Sequence, residues 1–467
     1  MDLLGKPLNP NKQMKEEFVS NLTGSSMLEI AALSVIVPAL VVLRQFCCSG
    51  RISVNEVEKK KDDNATFRKD LRGDTFAMFG DFICVILPLI GYFTVLAEWA
   101  FLSAVMLALV LICISAKRRS SSSAHIKEGS QQVYSLRRSI SSYRVSMVVV
   151  TCLCILAVDF KIFPRRYAKT ETYGTSLMDL GVGSFVLANS LVSRQARGAM
   201  AVNWKAALRS ICPLVFLGFG RLISTTGVDY QVHVGEYGVH WNFFFTLAAV
   251  SILTSIVNIP PKYCGIFGIV ILIGYQSCLI CGLNDYLISN ERASNVVSQN
   301  KEGFFSIFGY WGLYLVGVHL GYHVFFGHEL SSKPGNVQLA RIKAWGLTLL
   351  FWSLTIIFDK YVERVSRRMC NLAYVTLVLA QNFQIISILF LVDLVPDQKP
   401  LVLEEAFNQN LLGSFLLANV LTGVVNLSVD TLSASSFAAL AVLVMYALTL
   451  SAAVGFAWLL GIKFKFW

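Results

Sequence analysis

The stretch Asp159-Phe-Lys-Ile-Phe-Pro-Arg-Arg-Tyr-Ala-Lys-Thr-Glu-Thr-Tyr-Gly-Thr-Ser-Leu-Met-Asp179 carries a carboxylate at each end and four cations between them, Lys161, Arg165, Arg166 and Lys169. Carboxylates can take up protons, and ammonium and guanidinium groups can grip anions or a developing negative charge. A second loop, Asp229-Tyr-Gln-Val-His-Val-Gly-Glu-Tyr-Gly-Val-His-Trp-Asn-Phe-Phe-Phe-Thr246, offers Asp229, His233, Glu236, His240 and Asn242 for hydrogen bonding or proton transfer. It is also rich in aromatics suited to the headgroup belt of a membrane, so a plain capping loop is an equal reading of it.

The elements that must position these residues are membrane helices. The chain has 467 residues, 55% hydrophobic and only 15% charged, with a mean hydropathy of +0.59. By the rule that about 20 apolar residues cross a bilayer, an all-α polytopic protein of about 13 spans is expected. These lie near 28–46, 75–95, 97–116, 145–163, 176–193, 206–223, 240–258, 264–283, 305–326, 342–358, 371–392, 410–424 and 437–460. No polar stretch is long enough for a second domain, so residues 1–467 form one unit. The longest such stretches, 49–73 and 117–142, read as charged or Ser-rich linkers. No cleavable signal peptide is read ahead of the first span. A short interfacial helix is expected over 11–26, with Phe18, Val19 and Leu22 on one face.

The apolar run 145–158 is too short to span alone, so its helix is expected to continue through Asp159 to about Phe163, before Pro164. Asp159 then lies about one turn inside the apolar zone, and Asp179 about as far into the start of the next helix. An ionisable group at that depth is costly and reads as functional. Glu29, just inside the first span, needs a partner.

Loops following odd-numbered spans hold well over half of the Lys and Arg, which makes that side cytosolic and the N-terminus luminal. The four cations of the 159–179 loop sit on the other side, against the bias, and Ser366-Arg-Arg-Met-Cys-Asn-Leu-Ala-Tyr374 adds two more there. Lys463-Phe-Lys-Phe-Trp467 has the spacing of a cytosolic dilysine retrieval signal for the endoplasmic reticulum. Asn21-Leu-Thr and Asn426-Leu-Ser are luminal-side sequons. The 11 cysteines are scattered, with neither a zinc pattern nor a disulfide framework. His319 and His323, four apart, share a helical face without a carboxylate at matching spacing, so no metal is expected.

DFKIFPRRYAKTETYGTSLMDLGVGSF (159–185) and DYQVHVGEYGVHWNFFFT (229–246) closely resemble the PIG-W family, the inositol acyltransferases of glycosylphosphatidylinositol (GPI) anchor synthesis. So do KEEFVSN (15–21), GSSMLE (24–29), SRRMCNLAYV (366–375) and ANVLTGVVNLSVDT (418–431). The resemblance implies an endoplasmic reticulum enzyme with 13 spans. It would move a long-chain acyl group, typically palmitoyl, from acyl-CoA to the inositol of glucosaminyl-phosphatidylinositol. Acyl-CoA is then a co-substrate. No cofactor, metal or nucleic acid is implied, and membrane lipids are the surroundings. The family's catalytic Asp and its Lys partner fall on Asp159 and Lys169.

That chemistry suits the residues. O-acyl transfer needs a base for a sugar hydroxyl and donors for the tetrahedral oxyanion. Asp159 is the expected base. Lys169 would orient it, or stabilise the oxyanion or the departing thiolate. No Ser or Cys stands out as a nucleophile, which favours direct attack on the thioester. Arg165 and Arg166 are expected to grip phosphates. Asp179, Asp229, His233, Glu236, His240 and Asn242 are expected to contact the substrate. The rival class is a secondary transporter of a polar or lipid-linked substrate, in which intramembrane charges also mark the pathway.

Overall fold

In the computed structural model the chain is a bundle of α-helices. The structure describes residues 14, 17–18, 20–49, 71–121, 129–199, 204–226, 234–326, 334–394 and 401–463. Most of the expected linker 49–73, part of the 11–26 segment and the lysine two places before Trp467 lie outside these residues. Of the expected linker 117–142 only 122–128 do, and the rest is helix rather than linker, the end of Ala100–Ser121 and the start of Gly129–Ala157. Among the described residues there is no strand beyond two isolated bridges between Gly24 or Ser25 and Thr175.

Among the described residues eleven helices are long and apolar enough to cross a membrane. They are α1 (Met27–Cys47), α2 (Gly73–Phe93), α3 (Ala97–Lys117), α4 (Ser135–Ala157), α6 (Ala207–Ser224), α8 (Pro261–Ile288), α9 (Lys301–Phe326), α10 (Val337–Tyr361), α11 (Leu372–Val392), α12 (Leu411–Ser428) and α13 (Ser436–Leu459). The expected spans 176–193 and 240–258 form shorter helices, α5 (Leu180–Leu191) and α7 (Phe243–Val257). Both are clipped by local chemistry. Asp179 stands at the N-cap of α5 and is tied down outside the helix. α7 starts at Asn242, whose side chain accepts from the backbone N–H of Phe244 and Phe245. It ends at Asn258, held at φ 41° ahead of Pro260 and Pro261.

α11 is the axis of the bundle. Of its apolar window 89% is buried, against 6% for α6 at the rim. Around it pack α1, α4, α5, α9 and α10. One chain of polar groups crosses this interior by pairing, as a dry environment favours. Tyr143 donates to Asn382 Oδ1 at 2.8 Å, and Asn382 donates in turn to Ser184 Oγ at 2.9 Å.

The helix carrying the first motif ends earlier than the apolar run suggests. α4 stops at Ala157, and Asp159 N and Phe160 N turn back to carbonyls three residues away, those of Leu156 and Ala157. The physical reason is Arg165. Its Nη2 donates to the carbonyls of Val158 (2.8 Å), Phe160 (3.3 Å) and Phe163 (3.1 Å), supplying from a side chain the donors that further helical turns would provide. The same guanidinium stacks on the Phe18 ring, 3.9 Å from its centroid. Asp159 therefore sits just past the helix end. Asp179 likewise stands at the start of α5, not inside it.

On one face of the bundle the segments 20–26, 158–179, 234–242, 284–300 and 362–371 interlock into a cap. Ser25 N donates to Thr175 O at 2.7 Å, Gly174 N to Val365 O at 2.9 Å and Val239 N to Gln299 O at 3.1 Å. Gly24 and Gly174 cross at positive φ, 80° and 130°. A Cβ on either would lie 2.2 Å from a backbone oxygen of the other strand, so no larger residue fits. Glu302, buried under the cap, takes Arg292 at 2.6 Å and Arg368 at 2.9 Å. Lys301 gathers the carbonyls of Tyr286, Ser289 and Glu291 at 2.6, 2.7 and 3.1 Å and so shapes the 284–300 loop.

Candidate active site

Two of the ionisable groups expected to do the chemistry keep some surface of their own while being held by the protein. The first is Asp159, half-buried beyond the end of α4. Its Oδ2 accepts from the Asn426 amide of α12 at 2.8 Å. The Asn426 sequon is thus part of a helix, with its amide nitrogen engaged by Asp159. Arg165 lies close enough to feel the Asp159 charge, although burial still brings its pKa down to about 10.

The second is Lys169. Its Nζ donates to Glu236 Oε1 at 2.8 Å and Oε2 at 2.9 Å. An ammonium has three N–H groups, so one remains. The Lys169 side chain keeps 38% of its exposure, yet it lies deep enough for desolvation to lower its pKa, with Glu236 opposing and Arg367 and Arg221 adding to the fall. Lys169 thus stands part-exposed at the cap, with one N–H not engaged by Glu236.

Behind Lys169 runs an alternating row of charge. Glu236 Oε1 also accepts from Arg367 Nη1 at 3.2 Å, and Arg367 Nε donates to Asp179 Oδ1 at 2.8 Å. Exposure falls along the row, from 14% for the Glu236 side chain to 4% for Arg367 and 1% for Asp179. Burial alone would raise the pKa of Glu236, but Lys169 and Arg367 outweigh it and lower it to about 2. Arg367 is held charged by Glu236 and Asp179 against the pull of its own burial.

The expected site residues divide accordingly. Asp159, bonded to Asn426, and the Lys169–Glu236 pair both lie in the cap segments, and His240 is exposed there, its backbone N–H held by Asn300 Oδ1 at 2.7 Å. Asp179, expected against the substrate, is instead sealed. Both its oxygens are taken, by Arg367 Nε, Thr170 N and Thr170 Oγ1. Asn242 is 6% exposed and serves as the N-cap of α7, its amide donating to Gly218 O at 3.0 Å. Arg165 is engaged with backbone carbonyls as described. Arg166 pairs with Glu29 at 2.9 Å and Glu98 at 2.7 Å, which supplies the partner Glu29 needs; a phosphate would have to displace one of them. Asp229 and His233 lie outside the described residues.

Arg367, Thr170 and Asn426 escaped the sequence reading as site residues. The signal was present for one of them, since Arg367 belongs to the cation pair placed on the motif side by span alternation. His319 and His323 lie with ring centroids 4.4 Å apart and planes tilted by 57°. His319 is 18 residues along α9 from its start at Lys301, roughly 27 Å by helical rise, and His323 is one turn further. Among the described residues no group of three or more His, Cys, Asp and Glu side chains could hold a metal.

Residues 11–458 match the GWT1 family model. An uncharacterized protein of Arabidopsis thaliana is 52% identical over 432 residues, covering 92% of this chain and 98% of its own. The phosphatidylinositol-glycan biosynthesis class W protein of Dictyostelium discoideum is 33% identical over 436 residues, 83% of this chain and 88% of that one. GPI-anchored wall transfer protein 1 of Aspergillus oryzae is 34% identical over 493 aligned positions, 93% of this chain and 95% of its own.

Proposed function

The chain belongs to the GWT1 family, and from that premise we propose that it is the inositol acyltransferase of GPI-anchor biosynthesis, a multi-pass enzyme of the endoplasmic reticulum membrane. Its acceptor is glucosaminyl-phosphatidylinositol and its donor a long-chain acyl-CoA such as palmitoyl-CoA. The cap faces the lumen, with the N-terminus on the same side and the C-terminus cytosolic. The observation that carries the chemistry is Lys169: a deep, wetted ammonium with two N–H groups fixed on Glu236 and one left over.

The transfer runs as follows. Asp159, oriented by Asn426, accepts the proton of an inositol hydroxyl as its oxygen attacks the thioester carbonyl. A C–O bond forms and the carbonyl oxygen becomes an oxyanion, which the remaining Lys169 N–H stabilises. Collapse breaks the C–S bond, and the CoA thiolate leaves and takes up a proton. No acyl-enzyme is formed. His240, exposed on the cap, contacts the glycan head.

The test is acylation of glucosaminyl-phosphatidylinositol by membranes containing this protein and labelled palmitoyl-CoA, comparing wild type with Asp159→Asn at equal abundance. Product from the wild type alone is expected. Product from both would keep the enzyme and dismiss Asp159 as base. No product from folded wild-type protein, with flux of a polar solute that depends on Asp159, would put the transporter reading in its place.

A further inference from the structure

We propose that Arg367 is a positioning residue for acyl transfer, fixing where the Lys169 ammonium meets the substrate without touching the substrate itself. The inference rests on the acyltransferase reading above. Arg367 is 4% exposed as a side chain, so it has no surface to offer a lipid or a thioester. What it does have is a bridging geometry. Nη1 reaches Glu236 Oε1 at 3.2 Å and Nε reaches Asp179 Oδ1 at 2.8 Å. Glu236 holds the tip of Lys169. Asp179 holds the residue next to it, through Thr170 N at 3.1 Å and Thr170 Oγ1 at 2.8 Å.

These contacts close a ring: Lys169 ammonium, Glu236, Arg367, Asp179, Thr170, and back to Lys169 through the peptide bond. One guanidinium thereby ties both ends of the lysine, its backbone and its charged tip. A single polar contact at Glu236 would leave the four-carbon stem free to swing, whereas the closed ring sets tip against backbone. Only a planar fork can serve both carboxylates; a lysine there would be a point charge reaching one of them. The ring joins three segments distant in sequence, the 158–179 loop, the one-turn helix Val234–Tyr237 and the 362–371 loop.

The arrangement also sets the charge felt at Lys169. Glu236 faces it with a negative charge, while Arg367 and Arg221 of α6 face it with positive charges. Glu236 therefore keeps the ammonium protonated to higher pH, and the two arginines do the opposite. Removing the Glu236 charge and removing the Arg367 charge therefore move the protonation of Lys169 in opposite directions, while loss of the bridge itself is read in kcat.

The experiment is the alkaline limb of kcat/KM for palmitoyl-CoA, measured in the full-length membrane protein. The variants are Glu236→Gln and the charge-matched double variant Arg367→Gln with Asp179→Asn, which removes the guanidinium without leaving the buried Asp179 carboxylate uncompensated. The limb is expected to fall by roughly one pH unit in Glu236→Gln and to rise by about as much in the double variant, the size of effect a lost neighbouring charge produces. Limbs that stay put in both, or move in the same direction, in protein of normal thermal stability would overturn the proposal. Arg367→Lys covers the case in which the double variant does not fold. It is expected to leave the limb in place and lower kcat by tenfold or more, with KM for the donor within a factor of two to three; undiminished kcat would overturn the proposal. Absence of transfer by the wild type would instead overturn the acyltransferase reading, and this inference with it.

Discussion

Asn426 of α12 donates its side-chain amide to Asp159 Oδ2 at 2.8 Å across 267 positions of sequence. The contact fixes the direction in which the carboxylate points. A hydrogen bond to a charged group contributes about 1.5–3 kcal/mol, and here it would act on orientation at the reacting atom. Asn426→Ala is expected to lower kcat by roughly 10- to 100-fold with little change in KM, read from initial rates of inositol acylation. Wild-type kcat in that variant would remove Asn426 from the machinery.

Arg166 and Lys169 separate structure from chemistry. Arg166 is 31% exposed and pairs with Glu29 and Glu98, the latter 76% exposed. Pairs so open to solvent contribute little, about 1 kcal/mol or less. Arg166→Gln should lower the Tm of detergent-solubilised protein by a few degrees and leave KM for both substrates unchanged. Lys169→Met should abolish transfer even in protein that stays folded at the assay temperature. A raised KM for the acyl donor in Arg166→Gln would show that a phosphate displaces a carboxylate there.

Glu236 gives a pH signature in stability. Its folded pKa, about 2, lies below the ordinary value of 4.5 because Lys169 and Arg367 outweigh its burial. A depressed carboxylate contributes stability that is complete above its unfolded pKa and lost as pH falls through the folded one. Wild-type Tm should therefore decline as pH drops from about 4.5 toward 2, and Glu236→Gln should show a shallower decline over that window. Identical slopes would mean that the ion pairs seen at Glu236 do not persist in solution.

The spans were legible because a bilayer demands long apolar runs, and such runs can be read along the chain without knowing what they pack against. Helix ends were not. α4 stops at Ala157 because Arg165, in the following loop, gathers the carbonyls of Val158, Phe160 and Phe163 just past its end, and no periodicity announces a donor supplied from seven residues on. The loops of the site were legible as loops, and alternation placed them on one face. Which charges meet across that face was not. Lys169–Glu236 and Arg367–Asp179 join residues 67 and 188 positions apart, and their pairing depends on how the segments cross. Asp179 shows the limit well. Its type and place said that it mattered, but only the fold shows that it faces inward to Arg367 and Thr170.

The crossing of Gly24 and Gly174 ties the first motif to the segment before α1, and it can be broken one atom at a time. Both residues sit at positive φ, where a side chain is strained, and each approaches the other strand so closely that a Cβ would lie 2.2 Å from Thr175 O or Thr23 O. Neither obstacle is a flexible side chain, so backbone must move. Strain of this kind costs of order 1–3 kcal/mol before the clash is counted. Gly174→Ala should therefore part the 20–26 segment from the 158–179 loop, losing the Ser25 N to Thr175 O bond at 2.7 Å and the Thr175 Oγ1 to Ser25 O bond at 2.7 Å. Amide exchange at Ser25 and Glu171 should quicken, and inositol acylation should fall even though no residue assigned to the chemistry has been touched. Gly181→Ala, at the second residue of α5 and with open space where its Cβ would go, is the control and should leave both readouts unchanged. Equal exchange rates in wild type and Gly174→Ala would show that the cap does not depend on this crossing.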